Sequence, residues 1–252
     1  MKAHLFCIEC LTNLHVGSGE SNYNIIDNEV ERDPVLKNVP VIHASGVKGA
    51  LRAHCRNGKP ADKEKPWIKE VFGKPSTKEE SGGGGTYKFF TANLLVRPLR
   101  VSGGDLGASY VLTTTEEIVK KLESLTSGLG ETLEIPTDAC GKVSAEGESL
   151  DCFKPENAAL FGEEEVAIAK SFESFDLPSL ARNCLDEKGI SQNLWYEEFV
   201  PYTSRFYFFV LAPEGDKNFD AFKAALEGSA VQFGGNASVG YGYCRVKEVA
   251  LP

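Results

Sequence analysis

The chain has 252 residues, 42% of them hydrophobic, and a formal net charge of −9. That length supports one sizeable core, or one core with inserted subdomains, and the acidic balance argues against indiscriminate nucleic-acid binding. No apolar run reaches the roughly 20 residues of a membrane helix, and an N-terminus with Lys2 alone before a short apolar run broken by Glu9 does not read as a secretion signal.

Residues 3–12, rich in Leu, Phe, Ile and Cys, predict a first strand. Cys7 and Cys10 form a C-x-x-C on it. Positions three apart on a strand face opposite ways and no second C-x-x-C exists, so two core thiols are expected rather than a metal pair. The seven cysteines are odd in number and scattered, which points to free thiols in a reducing cytoplasm. Residues 15–38 read as a long connection with Gly17 and Gly19 early and the turn signal Asp33-Pro34 late. If 27–33 is extended, Asp27, Glu29, Glu31 and Asp33 point the same way and favour a hard cation between them; in an irregular loop they do not.

Val39–His43 predicts a short strand, and Ser45 an N-cap for a helix through about Arg56. Val47, Leu51 and Cys55 form its expected buried stripe; Lys48 and Arg52, one turn apart, share another face. Residues 34–61 hold Lys37, Lys48, Arg52, Arg56 and Lys59 and no acid. Residues 1–60 carry seven Lys/Arg against six Asp/Glu, so the rest of the chain carries −10. A local basic surface on an acidic body suits a specific RNA track.

Residues 74–85, ending in four glycines, are expected to form a mobile loop, because ordering them costs more entropy than it recovers. Tyr87–Val101 reads as a long strand or hairpin. Thr114 with Glu117 resembles a capping box opening a helix with Ile118, Leu122 and Leu125 on one side. Residues 126–200, with many turn residues, read as an inserted subdomain, and about 58–90 as a further insertion. Thr203–Leu211 predicts a strand and Phe219–Leu226 an amphipathic helix. Val231–Phe233 and Tyr241–Val249 then flank the glycine-rich run Phe-Gly-Gly-Asn-Ala-Ser-Val-Gly-Tyr-Gly-Tyr at 233–243. Strand–helix–strand early and again late suits an α+β, ferredoxin-like (RRM-like) core in a single domain over 1–252. A Rossmann reading is poor, since Gly-Tyr-Gly here enters a strand.

Several residues carry candidate chemistry. Ser45, Gly46, Lys48 and Gly49 open a helix whose backbone amides can bind phosphate, with Lys48, Arg52 and Arg56 adding charge. The loop of Gly234, Gly235, Asn236, Gly240, Tyr241 and Gly242 is the other candidate RNA-binding segment, needing glycine so that its backbone can approach that of the RNA closely. Trp195 and Tyr196 suit either base stacking or core packing.

The ordered combination of Leu14–Gly19, Asp27 with Glu31-Arg32, Pro40–Arg52, Leu95–Leu99, Asn193–Pro201 and Gly234–Tyr241 resembles the RAMP superfamily of CRISPR proteins. Within it, the match is to the repeated backbone subunit of type III-B (Cmr) effector complexes, with the equivalent type III-A (Csm) subunit as the rival. The resemblance implies several copies along one guide RNA, beside other effector subunits, in the cytoplasm and away from membranes. Each copy would cradle guide backbone, insert a thumb-like hairpin into the guide–target duplex, and cut target RNA with a weakly bound divalent metal, Mg or Mn. Asp27 falls at the family's catalytic aspartate position and is the candidate metal ligand. His15 falls at a family position near the cleavage site, and Glu197 or Glu198 in the segment of a further family acid. An ordinary aspartate is a weak base at neutral pH, so metal-bound water or neighbouring acids would have to assist it. A purely structural guide-binding protein and a stand-alone nuclease that processes precursor RNA are the alternatives.

Overall fold

The structure, a computed structural model, describes residues 1–19, 26–60, 63–74, 83–102 and 108–251. In chain order it begins with β1 (Lys2–Cys10), β2 (Val41–Ile42), α1 (Ala44–Arg56), α2 (Pro66–Phe72), β3 (Lys88–Phe89), β4 (Ala92–Arg100), β5 (Tyr110–Thr115) and α3 (Glu116–Gly128). There follow β6 (Gly141–Ala145), β7 (Glu148–Phe153), α4 (Ala158–Phe161), β8 (Val166–Ala169), β9 (Ser179–Leu185), β10 (Ser191–Glu198), β11 (Arg205–Ala212), α5 (Asn218–Leu226), β12 (Val231–Gln232) and β13 (Tyr243–Val249).

Near-continuous apolar runs place β1, β4 and β11 at the centre, buried on both faces. The main sheet runs β12-β13-β1-β11-β4-β5-β8-β7-β6, with β2 added to β4 and β3 to β11. Its middle, β13-β1-β11-β4, is antiparallel throughout, and α1 lies between β1 and β4 in sequence as α5 lies between β11 and β13. This is the ferredoxin-like arrangement expected. On the helical face Phe6 stacks on Phe208 at 5.3 Å between ring centroids and meets Phe222 of α5 edge-on at 5.9 Å. Val47 and Leu51 of α1 are buried against the same core.

Residues 58–90 contribute α2 and β3 to this helical side, where Phe72 stacks on Phe89 at 5.1 Å. Of the strands within 126–200, β8 pairs in parallel with β5 and continues through β7 to β6, so these strands extend the main sheet and share its core. Only β9 and β10 form a separate two-stranded sheet. The expected mobile loop over 74–85 falls mainly on residues outside those described; at its ends Gly84 bridges back to Gly73.

Two local expectations need correction, and one open alternative is decided. α1 starts at Ala44 with His43 as its N-cap residue, so Ser45 sits inside the first turn and caps nothing. The cap of α3 is Thr115, whose hydroxyl accepts from the Ile118 amide at 3.2 Å, one residue later than Thr114; Thr114 is a buried residue of β5, next to its last. The stretch 27–33 is not one strand, because its backbone bridges to three different partners: Asn28 to Glu197, Val30 to Gly17, and Arg32 to Pro40.

The two C-x-x-C thiols are both buried and face apart. Cys7 lies 3.8 Å from the Leu160 carbonyl and Cys10 lies 3.9 Å from the Cys244 sulfur. Burial pushes the Cys7 thiol up to about 12, and the bond to Cys244 together with burial raises Cys10 well above its ordinary value. Among the described residues no helix is long and apolar enough to cross a membrane.

Candidate active site

The β9–β10 hairpin stands clear of the body, and most of its side chains are exposed. Asp186 shapes its turn by accepting from the amides of Lys188 and Ile190, each at 2.9 Å. Burial begins at the foot, with Glu197 and Glu198. Consecutive strand residues point to opposite faces, so these two acids enter different surroundings.

Glu198 staples the 27–33 segment. Its Oε2 accepts from the Val30 amide at 3.0 Å and its Oε1 from Arg32 Nη2 at 2.6 Å, while its own amide donates to the Asn28 carbonyl at 3.0 Å. Arg32 also donates to the Val30 carbonyl at 2.6 Å and to Asn38 at 3.0 Å. Glu197 instead faces the two glycine-bearing segments. Its Oε1 lies 3.6 Å from His15 Nε2 and accepts from Asn236, and its Oε2 pairs with Arg182 of β9. The Arg182 guanidinium lies over the Tyr241 ring at 4.9 Å. His15 is buried; its Nδ1 is 2.6 Å from the Glu198 carbonyl, and its own carbonyl accepts from the Gly235 amide at 2.9 Å.

Asp27 sits directly across from Tyr196. Its amide and that of Asn28 both donate to the Tyr196 carbonyl at 3.1 Å, and its Oδ2 accepts from the Tyr196 amide at 2.8 Å. The residue is exposed. The fold therefore presents a carboxylate to solvent at a fixed place, beside a hairpin whose root is tied by Glu197 and Glu198.

The glycine loop is read differently in space than in sequence. Gly234 has φ +72°, and a Cβ there would collide with the His15 carbonyl oxygen; Gly242 has φ +78°, and a Cβ there would collide with the Phe233 carbonyl oxygen. At both positions the close approach is to the protein's own backbone. Asn236, at φ +60°, turns its side chain inward to Glu197, and Gly240 lies in open space.

The structure thus gathers His15, Asp27, Glu197, Glu198, Gly234, Gly235, Asn236 and Tyr241 around one junction. Ser45, Gly46, Lys48, Gly49, Arg52 and Arg56 lie apart from it on α1. Ser45 and Lys48 line a groove of about 310 Å³ with Gly85 and Lys88. Arg52 and Arg56 close on the buried carboxylate of Glu64, at 2.8 Å from Arg52 Nη2 and 3.2 Å from Arg56 Nε. The Arg52 hydrogen bonds hold Glu64 below the usual carboxylate range. Arg182 and Glu64 escaped the sequence reading: Arg182 lies in a strand exposed on both faces, which has no apolar alternation to mark it, and Glu64 lies outside the acid-free run it neutralises.

The expected row of acids does not converge. Glu31 pairs with His43 at 3.3 Å, and Asp33 turns inward to Lys121. Among the described residues no group of three or more His, Cys, Asp or Glu comes together to hold a metal. One exposed carboxylate suits a hard cation that keeps most of its waters and takes its other ligands from phosphates, rather than a protein cage.

Comparison with known proteins agrees with this architecture. The family model of the RAMP superfamily matches residues 7–245. The CRISPR system Cmr endoribonuclease Cmr4 of Pyrococcus furiosus is 26% identical over 299 aligned residues, covering 99% of this chain and 97% of that protein. The CRISPR system CMR subunit Cmr4 of Saccharolobus solfataricus is 33% identical over 121 residues, 48% of this chain and 37% of that protein. Among solved structures, the type III-B Cmr-beta complex bound to cognate target RNA contains a chain that superposes with a TM-score of 0.77 at 21% identity, over 98% of this chain and 97% of that one. Oligomeric Cmr4 from Pyrococcus furiosus superposes with a TM-score of 0.68 at 20% identity, over 100% and 99%. With its ferredoxin-like core, its tethered hairpin and a family match over nearly its whole length, the chain belongs to the RAMP superfamily.

Proposed function

We propose that this chain is the repeated backbone subunit of a type III-B CRISPR effector and a guide-RNA-directed endoribonuclease within that complex. The observation that carries the reading is Asp27, an exposed carboxylate held by the Tyr196 backbone at the foot of a projecting hairpin. The end-to-end similarity to a Cmr endoribonuclease supports it.

The β9–β10 hairpin is the thumb. Its outer residues Leu185, Leu194 and Tyr196 are exposed and share one face, suited to wedging apart a base pair of a guide–target duplex. A nucleotide displaced there exposes its 2′-hydroxyl to Asp27. The 2′-oxygen attacks the adjacent phosphorus, the 5′-oxygen of the next nucleotide leaves with a proton, and a 2′,3′-cyclic phosphate remains. Asp27 is the residue that would hold a divalent cation, whose bound water supplies proton transfer near neutral pH. His15 and Glu197, behind the loop, fix the Gly234–Asn236 segment on which the backbone would rest. Lys48 and the groove beside it contact guide phosphates, which position RNA without reading sequence; base pairing selects the target. Partners are the guide RNA, the target RNA, further copies of this chain in a filament and the other effector subunits, all in the cytoplasm.

The test is cleavage of a guide-complementary RNA by the assembled complex, with and without EDTA, for wild type and Asp27→Ala. Regularly spaced products that require metal and vanish in the variant are expected. Intact target with wild-type protein and normal assembly would leave a guide-binding scaffold.

A further inference from the structure

A second charged cavity, of about 390 Å³, lies on the sheet face opposite α1 and α5. Side chains of β1, β11 and β13 form its floor, and α4 with Gly162 forms one wall. At its centre Glu9 stands directly across from Arg205 on one side and Arg245 on the other. The two arginines are held unequally. Arg245 Nη1 reaches Glu9 Oε2 at 2.6 Å, whereas Arg205 has, among the described residues, only two long contacts of 3.4 Å, to Glu9 Oε1 and the Ala158 carbonyl. Among the described residues the buried Nε of Arg205 has no partner. Lys247, two residues along β13 from Arg245 and on the same face, makes no hydrogen bond or ion pair among the described residues.

Three cations therefore share a concavity with two carboxylates, Glu9 and Glu163, on a chain whose net charge is −9. Arg205 is mostly withdrawn from solvent and only loosely paired, so its terminal nitrogens have donors left to give a ligand. Its planar fork matches a phosphate's oxygens, and a neighbouring ammonium adds a point charge. Among the described residues no aromatic side chain lines the cavity, so none of them stacks on a base there.

We propose that this cavity is a phosphate-binding site, formed by Arg205, Arg245 and Lys247 and regulated by Glu9. It shares no residue with the Asp27 junction and stands without the nuclease reading. Glu9 occupies Arg245 and competes with an incoming phosphate, so the site gains affinity when that charge is removed. The phosphate comes either from an RNA backbone or from a free phosphate.

The experiment uses the full chain as wild type, as Arg245→Gln/Lys247→Gln and as Glu9→Gln. Inorganic phosphate is titrated calorimetrically, and a labelled single-stranded RNA is titrated by fluorescence anisotropy across a salt series. The double variant is expected to lose phosphate binding, or to flatten the salt slope of RNA binding by about 1 to 2; Glu9→Gln is expected to tighten the same ligand several-fold. Loss confined to inorganic phosphate assigns the site to free phosphate, and a change in RNA slope assigns it to the RNA backbone. Both ligands unaffected in a double variant that still melts cooperatively would overturn the proposal. Arg245 is half exposed and Lys247 exposed, so that variant decides the matter even if Glu9→Gln fails to fold.

Discussion

On α1, Arg52 and Arg56 close over Glu64 and are largely withdrawn from solvent. At the foot of the hairpin Glu197 and Glu198 are withdrawn in the same way, but Asp27 beside them is held through backbone alone and keeps its carboxylate exposed. Both regions contain charges that the sequence puts near RNA. What separates a structural charge from a chemical one is an oppositely charged side chain that arrives from elsewhere in the chain. Glu64 comes from beyond the basic run, Arg182 from the hairpin's other strand, and Arg32 from the loop that Glu198 staples.

The largest effect should fall on the exposed member. Asp27→Ala is expected to lower target cleavage by about 10²- to 10⁴-fold with an unchanged melting temperature; a fall in both would place Asp27 among the structural charges. Glu198→Ala should do the opposite, destabilising by about 2–4 kcal/mol in a denaturant titration, because the Val30 amide and Arg32 lose their buried acceptor. Glu64→Gln is expected to cost about 1–2 kcal/mol while strengthening RNA binding, since it releases Arg52 and Arg56.

Acid should separate the regions more gently. At Asp33 burial favours the neutral form, but the Lys121 ammonium and the amides of Leu36 and Val35 outweigh it and hold the carboxyl below its ordinary value; Glu64 is held low by Arg52. Depressed carboxyls contribute stability above their unfolded values, near 4, and lose it as pH falls through the folded ones. Unfolding free energy should therefore decline below about pH 4, and Asp33→Asn should flatten that decline. The smallest contrast lies in two hydroxyls: Thr115→Ala should cost about 1 kcal/mol, and Ser45→Ala under about 0.5, because only the first caps a helix.

The elements with an internal rhythm were legible. β1, β11 and α5 announce themselves by apolar runs or helical spacing, and the split strand–helix–strand order leads to the ferredoxin-like core. Helix starts were legible only to within a residue, since Thr114 and Thr115 are chemically alike and only strand pairing decides which one ends β5. The junction was legible by its parts, as His15, Asp27 and the acids at 197–198 stand in motifs. Its wiring was not, because pairs such as Arg32–Glu198 and Asp33–Lys121 span 166 and 88 residues. The same limit left 27–33 open between strand and irregular loop: three separate bridges, not the alternation of acids, decide where each side chain goes.

The pairing of β1 has a consequence for biosynthesis. Leu5, Phe6, Cys7 and Ile8 lie between β11 and β13, both drawn from the last fifty residues of the chain. On a ribosome β1 thus emerges about two hundred residues before both of its neighbours, with its apolar edges uncovered until they follow. Such a fold closes late and by long-range contacts. A nascent-chain experiment should find it protease-sensitive until β13 has cleared the exit tunnel, and dependent until then on whatever shields that strand.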